Sequence, residues 1–325
     1  MKSVVFDEFG SPRKVLQVVE RPMPEPGSGQ VRVRMVLSPI HNHDLMIVTG
    51  HYGYKPELPH FPGTEALGVV DKLGDGVTNL AVGQRVTGGA SAAWAEYYLA
   101  NAQSLVPVPE GIDEGTASQL VSMPLSAFRL LGELEVKPGD WIAQNAANGA
   151  VGKIVAMLAA ERGIRVLNIV RREEAIAELA AEGIGDAVSS EHEDWPERAR
   201  AITGGAPIRR GLDSVAGRAS DELLSLLAEE GWMISFGALS GRPMTLNAEN
   251  LLFKRTMVKG FWAARPSTFH TPEQLRTALV DFVRRAKEGS LKLPIAEVFP
   301  LEQAAEAAEA SNTKGRQGKI ALGGS

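Results

Sequence analysis

Between Trp141 and Trp262, short apolar segments alternate with amphipathic ones, and this pattern constrains the fold more than any other feature of the sequence. The apolar segments have the length of strands, and the intervening segments, such as 151–161 and 173–181, have helical periodicity. The strand candidates are 141–144, 165–170, 212–215, 233–236 and 256–262. Regular alternation of this kind predicts an α/β domain with a doubly wound parallel sheet.

The residues on either side of this region have a different character. The first 109 residues are rich in Pro and Gly, and the segment 31–37 is apolar at every odd position, as in a strand with one buried face. This pattern predicts a bent, barrel-like β domain, followed by a helix over 114–131. Beyond the α/β region we expect helices over 272–288 and 301–310 and a strand at 319–322. The order suggests one domain inserted within another.

Composition removes several classes of function. The chain has 34 Lys and Arg against 39 Asp and Glu, a formal charge of −5 without long runs of like charge, which does not favour nucleic-acid binding. It has no Cys, so disulfides, thiolate nucleophiles and Cys-based metal sites are excluded. The N-terminal residues resemble no targeting signal and no apolar run approaches the roughly 20 residues of a membrane span, so we expect a cytoplasmic protein without a membrane anchor.

The sharpest local motif lies between the first strand of the α/β region and its helix. In Asn145-Ala146-Ala147-Asn148-Gly149-Ala150-Val151-Gly152 the spacing is that of a dinucleotide fingerprint, with Ala147 in place of the first Gly. Gly149 allows the backbone to approach a pyrophosphate, and the helix N-terminus supplies free N–H groups and partial positive charge. The alternative is a tight strand-to-helix turn that binds nothing. The surrounding strand and helix favour a cofactor site.

The end of the second strand bears on which cofactor binds. An NAD site expects an acidic residue about 20 positions beyond the glycines, but this chain has Arg171 and Arg172 there. Two guanidinium groups suit a 2′-phosphate and favour NADPH over NADH. The alternative is that both arginines lie in solvent and pair with Glu173 and Glu174.

The motifs of the chain resemble the medium-chain dehydrogenase/reductase superfamily, and within it the zinc-free, mitochondrial-type trans-2-enoyl-thioester reductases. The resemblance covers essentially the whole chain, through the motifs Gly50-His51-Tyr52-Gly53, Pro56-Glu57-Leu58-Pro59, Gln144 to Gly152, Asn168-Ile169-Val170-Arg171 and Lys259-Gly260-Phe261-Trp262. The resemblance implies a GroES-like catalytic domain, related to a bent β-barrel, over 1–121 and 263–325. A Rossmann domain over 122–262 would be inserted in it, with the active site in the cleft.

The resemblance also implies roles for individual residues. Tyr52 would be the catalytic tyrosine, and Trp262 would be a catalytic residue in the wall of the substrate site. Without the resemblance, Phe261 and Trp262 at the end of a strand would be read as an aromatic pair in the core or in a dimer interface. One departure is Met123-Pro124, where the family pattern has Asn-Pro and an amide contact to the cofactor. The cofactor contacts would come from Asn148, Gly149, Ala150, Val151, Gly152, Arg171, Arg172, Glu173, Phe236, Gly237, Ala238, Leu239, Phe261, Trp262, Ala263 and Lys319.

Four histidines within 20 residues raise the question of a metal site. They are His41, His43, His51 and His60, alongside Asp44 and Glu65. Zinc-dependent members of the superfamily use Cys ligands and a Gly-His-Glu motif. Here that motif is Gly63-Thr64-Glu65, and Cys is absent, so we expect no catalytic zinc.

The expected function is therefore NADPH-dependent reduction of the 2,3 double bond of a trans-2-enoyl thioester, a reaction of fatty acid metabolism. One alternative is a related reductase of quinones or of small enones and enals. A remote alternative is a nucleotide-binding protein without catalytic activity. We also expect a homodimer, because relatives commonly associate through edge strands of their Rossmann sheets and the apolar run 257–262 suits such pairing.

Overall fold

A computed structural model describes residues 1–313 and 315–324. The chain divides into two compact units: unit 1 comprises Met1–Ser122 and Arg276–Ser325, and unit 2 comprises Met123–Leu275. The strands are β1 (Lys2–Val5), β2 (Gln17–Glu20), β3 (Gln30–Pro39), β4 (Glu65–Leu73), β5 (Arg85–Gly89), β6 (Tyr97–Asn101), β7 (Leu105–Pro107), β8 (Trp141–Gln144), β9 (Arg165–Val170), β10 (Ala187–Ser189), β11 (Ile208–Asp213), β12 (Leu227–Ser235), β13 (Met257–Gly260), β14 (Ile295–Pro300) and β15 (Lys319–Gly323). The helices are α1 (Pro12–Val15), α2 (Asn42–Val48), α3 (Glu114–Ala117), α4 (Ser122–Glu133), α5 (Ala150–Glu161), α6 (Glu174–Ala181), α7 (Trp195–Thr203), α8 (Arg218–Leu226), α9 (Ala248–Phe253), α10 (Pro272–Glu288) and α11 (Ala304–Ala310).

Unit 1 is built on a mostly antiparallel sheet. Its strand order is β14-β15-β3-β4-β5-β7, with β6 also paired to β3, and only β14 and β15 run parallel. The longest strand, β3, buries Val31, Val33, Met35 and Leu37, which confirms the predicted alternation. Val31, Val33 and Met35 pack in one core cluster with Trp94 and Tyr98. The β-rich, GroES-like part of the predicted fold is confirmed.

Unit 2 is the predicted doubly wound domain. Six parallel strands follow the order β10-β9-β8-β11-β12-β13, so the direction of sheet growth reverses at β8. Parallel strands of this arrangement are covered by helices and bury apolar side chains on both faces, as β8 does here with Trp141, Ile142 and Ala143, which are followed by the buried polar residue Gln144. The Rossmann part of the fold is confirmed. Ligands of such sheets bind at the carboxyl ends of the strands, beside the reversal.

Two segmental expectations differ from the structure. The single helix predicted over 114–131 is two helices, α3 and α4, because the backbone N–H groups of Val121 and Ser122 donate to Glu65 at 2.8 and 3.1 Å. The chain rejoins unit 1 at Arg276 rather than at residue 263. Residues 263–270 stay with unit 2 because Arg129 and Phe128 of α4 contact them, as described below.

Candidate active site

The loop between β8 and α5 has the geometry of an anion-binding turn. Gly149 is the N-cap of the 12-residue helix α5, with no side chain bonded to the first turn, so that turn's N–H groups remain open to a ligand. Ala146 precedes it with φ of 47°, and Gly149 N–H donates to the Ala146 carbonyl at 2.9 Å. The partial positive charge of the helix end adds to these donors. The loop can therefore hold a phosphate or pyrophosphate group.

Gly152 brings helix α5 close to this loop. A Cβ atom at this position would lie 2.7 Å from the Ala147 carbonyl oxygen and 2.8 Å from its Cα. Both neighbours are backbone atoms, which cannot move aside without shifting the loop. Any side chain at position 152 would push the helix away from the turn, so the third position of the motif needs glycine here.

Beneath the loop lies a buried polar network that the sequence analysis did not predict. The Asn145 amide donates to Asp213 at 2.6 Å and accepts from the Ser214 N–H at 2.9 Å. The Gln144 amide donates to the Gly152 carbonyl at 2.8 Å and to Asn168 at 2.7 Å. These contacts join the carboxyl ends of β8, β9 and β11 and so fix the loop. The sequence feature that could have predicted this network is the polar residue at or near the end of each of these apolar strands.

The two predicted phosphate-binding arginines follow β9. Arg171 is exposed, and among residues 1–313 and 315–324 its guanidinium has no hydrogen-bond or ion-pair partner. Arg172 instead approaches Glu178 at 3.4 Å and Glu174 at 3.8 Å. Glu173 pairs with Arg198 at 2.7 Å, an ion pair that lowers the pKa of this carboxyl. Of the alternative pairings of the two arginines with Glu173 and Glu174, the described residues contain the one between Arg172 and Glu174 and no other.

The remaining predicted cofactor segments of unit 2 follow β12 and β13. Phe236 N–H donates to the Asp213 carbonyl at 2.9 Å, and Leu239 N–H donates to the Ser214 carbonyl at 3.1 Å. The Leu239 side chain is exposed. Phe261 N–H donates to the Ser235 carbonyl at 2.9 Å, which continues the strand pairing for one residue beyond β13. Both segments thus lie at carboxyl ends of the parallel sheet.

The structure therefore brings all of the predicted cofactor residues of unit 2 to one edge of its sheet. They are 148–152 after β8, 171–173 after β9, 236–239 after β12 and 261–263 after β13. Tyr52 and Lys319 belong to unit 1, where Tyr52 follows α2 and Lys319 begins β15.

The loop that carries Tyr52 is tied to the end of α2. The N–H groups of His51 and Tyr52 both donate to the Met46 carbonyl, at 2.9 and 3.1 Å. The Tyr52 ring lies 5.3 Å from that of Tyr54 and 6.0 Å from that of His43, measured between centroids. Tyr52 is partly buried against the core of unit 1, whereas Tyr54 is 45% exposed. A small cavity of about 60 Å³ lies beside Tyr54, Asp44 and Thr64.

Asp44, Glu65 and two of the four clustered histidines form paired hydrogen bonds in unit 1. His41 Nε2 lies 2.8 Å from Glu65 Oε2, and both side chains are fully buried. Burial lowers the pKa of His41 well below its usual value and raises that of Glu65. Thr64 donates to Asp44 at 2.7 Å, so the 2.7 Å contact between His43 Nε2 and the Thr64 oxygen has the histidine as donor.

Lys319 lies close to the same group. Burial lowers the pKa of its ammonium to about 8, partly offset by the negative charges of Glu65 and Asp44. The other predicted cofactor residues lie in unit 2, whereas Lys319 lies in unit 1. The predicted contact between Lys319 and the cofactor therefore stays a prediction.

Comparison with known proteins places the chain in a family. Residues 27–124 match the family model "Alcohol dehydrogenase GroES-like domain", and residues 150–282 match "Zinc-binding dehydrogenase". The human mitochondrial enoyl-[acyl-carrier-protein] reductase is 30% identical over 318 residues, which cover 96% of this chain and 85% of that protein. The chain belongs to the medium-chain dehydrogenase/reductase superfamily.

Solved structures of the superfamily match the whole chain. The Escherichia coli quinone oxidoreductase complexed with NADPH is 29% identical with a TM-score of 0.86, covering 99% of this chain and 100% of that one. A quinone oxidoreductase from Pseudomonas syringae is 28% identical, also with a TM-score of 0.86, and 99% of each chain is covered. The recognition of the superfamily from the sequence is confirmed.

A catalytic zinc, which the name of the second family model implies, does not fit this chain. In the described parts of the chain, no three His, Asp or Glu side chains are grouped so as to hold a metal ion. His41, His43 and Asp44 are each engaged with a neighbouring side chain, and Thr64 offers only a weak neutral donor. Within the same described residues, no helix combines the length and apolar character needed to cross a bilayer.

Proposed function

We propose that this member of the superfamily reduces the 2,3 double bond of trans-2-enoyl thioesters with NADPH, and that Tyr52 is the proton donor. The coarser assignment, an NADPH-dependent oxidoreductase, rests on the superfamily and on its relatives. The thioester substrate is supported by 30% identity to the human mitochondrial enoyl-[acyl-carrier-protein] reductase over 96% of the chain. The motif Gly50-His51-Tyr52-Gly53 is the second observation that supports it.

The residues at the carboxyl edge of unit 2 fit NADPH. The open first turn of α5 can accept the pyrophosphate, and the close contact at Gly152 keeps that turn near the sheet. Arg171, exposed and without an ionic partner in the described residues, is available to a 2′-phosphate. Bound NADPH supplies the hydride, while Phe236–Leu239 and Phe261–Ala263 would form the walls beside it.

Tyr52 would handle the charge that conjugate reduction creates. When hydride adds to the β-carbon, negative charge moves through the α-carbon onto the thioester carbonyl oxygen. A hydroxyl can donate a hydrogen bond to that oxygen and then deliver a proton to the α-carbon, directly or through water. Tyr52 matches the family's catalytic tyrosine, and its backbone is fixed to α2 by the Met46 carbonyl.

The second candidate is a reductase of quinones or small enones and enals. It is favoured by the solved quinone oxidoreductases, whose structures match 99% of the chain at TM-scores of 0.86. These substrates are more electrophilic than enoyl thioesters and depend less on a protein acid, so the contribution of Tyr52 separates the two candidates.

The test compares substrates and two tyrosine variants. NADPH oxidation is followed with crotonyl-coenzyme A, a quinone and a free enal in parallel. Tyr52→Phe should keep folding and NADPH binding but lower kcat with the thioester by about 10²–10³-fold, the usual cost of losing one such donor. Tyr54→Phe is the matched control and should change little. Near-normal thioester turnover by Tyr52→Phe, or turnover of the quinone alone, would contradict the proposal.

We further propose that the chain forms a homodimer through the β13 edge of unit 2. β13 ends the sheet, and the adjacent helix α9 has no buried residue. Leu252, Phe253 and Met257 are 68%, 77% and 59% exposed, which is unusual for large apolar side chains so close together in sequence. Light scattering should give a dimer for the unmodified chain and a monomer for Phe253→Asp. Val280→Asp, at another exposed apolar position, is the control.

A further inference from the structure

Helix α4 holds a segment of unit 2 that has little apolar burial of its own. Residues 263–269 are mostly exposed, and the described side chains of this stretch contribute nothing to the buried cores. The conformation of this segment must therefore come from specific contacts. Four residues of α4 contact either the segment or the residues that flank it, and they form two pairs one helical turn apart: Phe128 with Gly132, and Arg129 with Glu133.

Arg129 makes the most direct contacts. Its Nη1 donates to the Ala263 carbonyl at 2.7 Å, and its Nη2 donates to the Arg265 carbonyl at 2.8 Å. Its guanidinium carbon also lies 5.1 Å from the centre of the Phe261 ring. Arg129 is only 8% exposed, and burial lowers its pKa, although a guanidinium stays charged at neutral pH. One buried cation thus holds the backbone carbonyls on both sides of Ala264 and lies over the ring of Phe261.

The neighbouring contacts hold the residues that flank the segment on either side. Before it, Lys259 of β13 pairs with Glu133 at 3.0 Å. After it, the His270 ring packs on Phe128 at 4.6 Å and occupies the space that a side chain at position 132 would fill. A Cβ on Gly132 would lie 2.2 Å from that ring. Arg129 lies between these two anchors and is the only one of the four that bonds to the segment's backbone within the described residues.

We propose that Arg129 is a positioning residue for NADPH, acting by fixing the backbone of Phe261–Ala263 against the cofactor. The inference rests on the proposed function in one respect, the assignment of residues 261–263 to cofactor binding. Neither the sequence motifs nor the family resemblance assigned a role to Arg129. Loss of its two hydrogen bonds leaves the carbonyls of Ala263 and Arg265 without their donors, so this wall of the cofactor site loses its fixed position.

The test uses Arg129→Met, Arg129→Lys and a matched control. Arg162→Met removes an exposed arginine whose guanidinium carbon lies 5.3 Å from the centre of the Phe128 ring and which, among the described residues, donates no bond to the segment. Charge-assisted hydrogen bonds are strong enough that losing two should weaken NADPH binding at least about tenfold. Arg129→Lys, which retains the charge but presents one nitrogen in place of two, should lie between this variant and the unmodified chain, and Arg162→Met should bind NADPH normally.

Two readouts keep the inference separate from the proposed substrate. The dissociation constant for NADPH is measured by fluorescence titration, and amide hydrogen exchange is measured across residues 261–270. Faster exchange there in Arg129→Met, together with weaker binding, supports the inference even when no thioester is turned over. Unchanged binding or unchanged exchange in both Arg129 variants overturns it, whatever the substrate. Failure of the unmodified chain to bind NADPH overturns both proposals.

Discussion

The two arginines after β9 should contribute unequally to the preference for NADPH. Arg171 has no competing partner among the described residues, whereas Arg172 is shared with Glu174 and Glu178. A 2′-phosphate that recruits Arg172 must first compete with those carboxylates. We therefore expect Arg171→Ala to weaken NADPH binding more than Arg172→Ala does.

The size of the effect follows from the exposure of the two side chains. A hydrogen bond to a charged group contributes roughly 1.5–3 kcal/mol, and an exposed guanidinium belongs at the lower end because water and salt screen it. For Arg171 this gives about 1.5 kcal/mol, or about tenfold in the dissociation constant. For Arg172, competition with its carboxylate partners should reduce the loss to about threefold. Binding of NADH should change little in either variant.

The assay is a fluorescence titration of each variant with NADPH and with NADH at two salt concentrations. Glu178→Gln is an informative partner variant, because removing this carboxylate frees Arg172 and should tighten NADPH binding. Equal dissociation constants for NADPH and NADH in the unmodified chain would refute the reasoning. A larger loss from Arg172→Ala than from Arg171→Ala would refute its structural part.

Three further outcomes are expected. Gly152→Ala should lower the free energy of unfolding by about 1–3 kcal/mol, because the new Cβ would clash with the backbone of Ala147. The measurement is a denaturant titration, and unchanged stability would show that the loop can move to accept a side chain. Because the pKa of Lys319 is about 8 in the folded chain against 10.5 for the ordinary side chain, the unfolded state binds the extra proton between these values. Between about pH 8 and pH 10.5 the unfolding free energy of the unmodified chain should therefore rise relative to that of Lys319→Met. If the unfolding free energies of the two proteins changed in parallel with pH, this prediction would be wrong. Treatment with a chelator should leave turnover unchanged. A loss of turnover that added zinc restores would contradict the conclusion that Thr64 and its neighbours do not hold a catalytic zinc.

The local pattern of apolar and polar residues was sufficient to predict the central strands and the longest helix of the fold. The predicted segments 141–144 and 165–170 match β8 and β9, and 272–288 matches α10. These segments carry an uninterrupted apolar or amphipathic pattern. β12 begins six residues before its predicted start because Glu229 and Glu230 interrupt the pattern, and three-residue β10 is too short to leave a signal.

The site was predictable where its chemistry is local and not where it depends on distant contacts. The glycine loop and the two arginines follow directly from spacing along the chain. Asn145 bonds to a residue 68 positions away, and Arg129 bonds to carbonyls 134 and 136 positions away. No spacing rule joins such pairs. The end of the inserted domain was placed at 262 for the same reason, since the contacts of α4 with Ala263, Arg265 and His270 join residues far apart in the sequence.

The most direct test of the proposed reaction follows hydrogen into the product. NADPH carrying deuterium at the transferred position is incubated with the protein and crotonyl-coenzyme A, and a parallel reaction uses unlabelled NADPH in deuterated water. The proposed reaction predicts a saturated thioester with cofactor deuterium on the β-carbon and solvent deuterium on the α-carbon. No saturated thioester, under conditions in which the protein oxidises NADPH with a quinone, would contradict it.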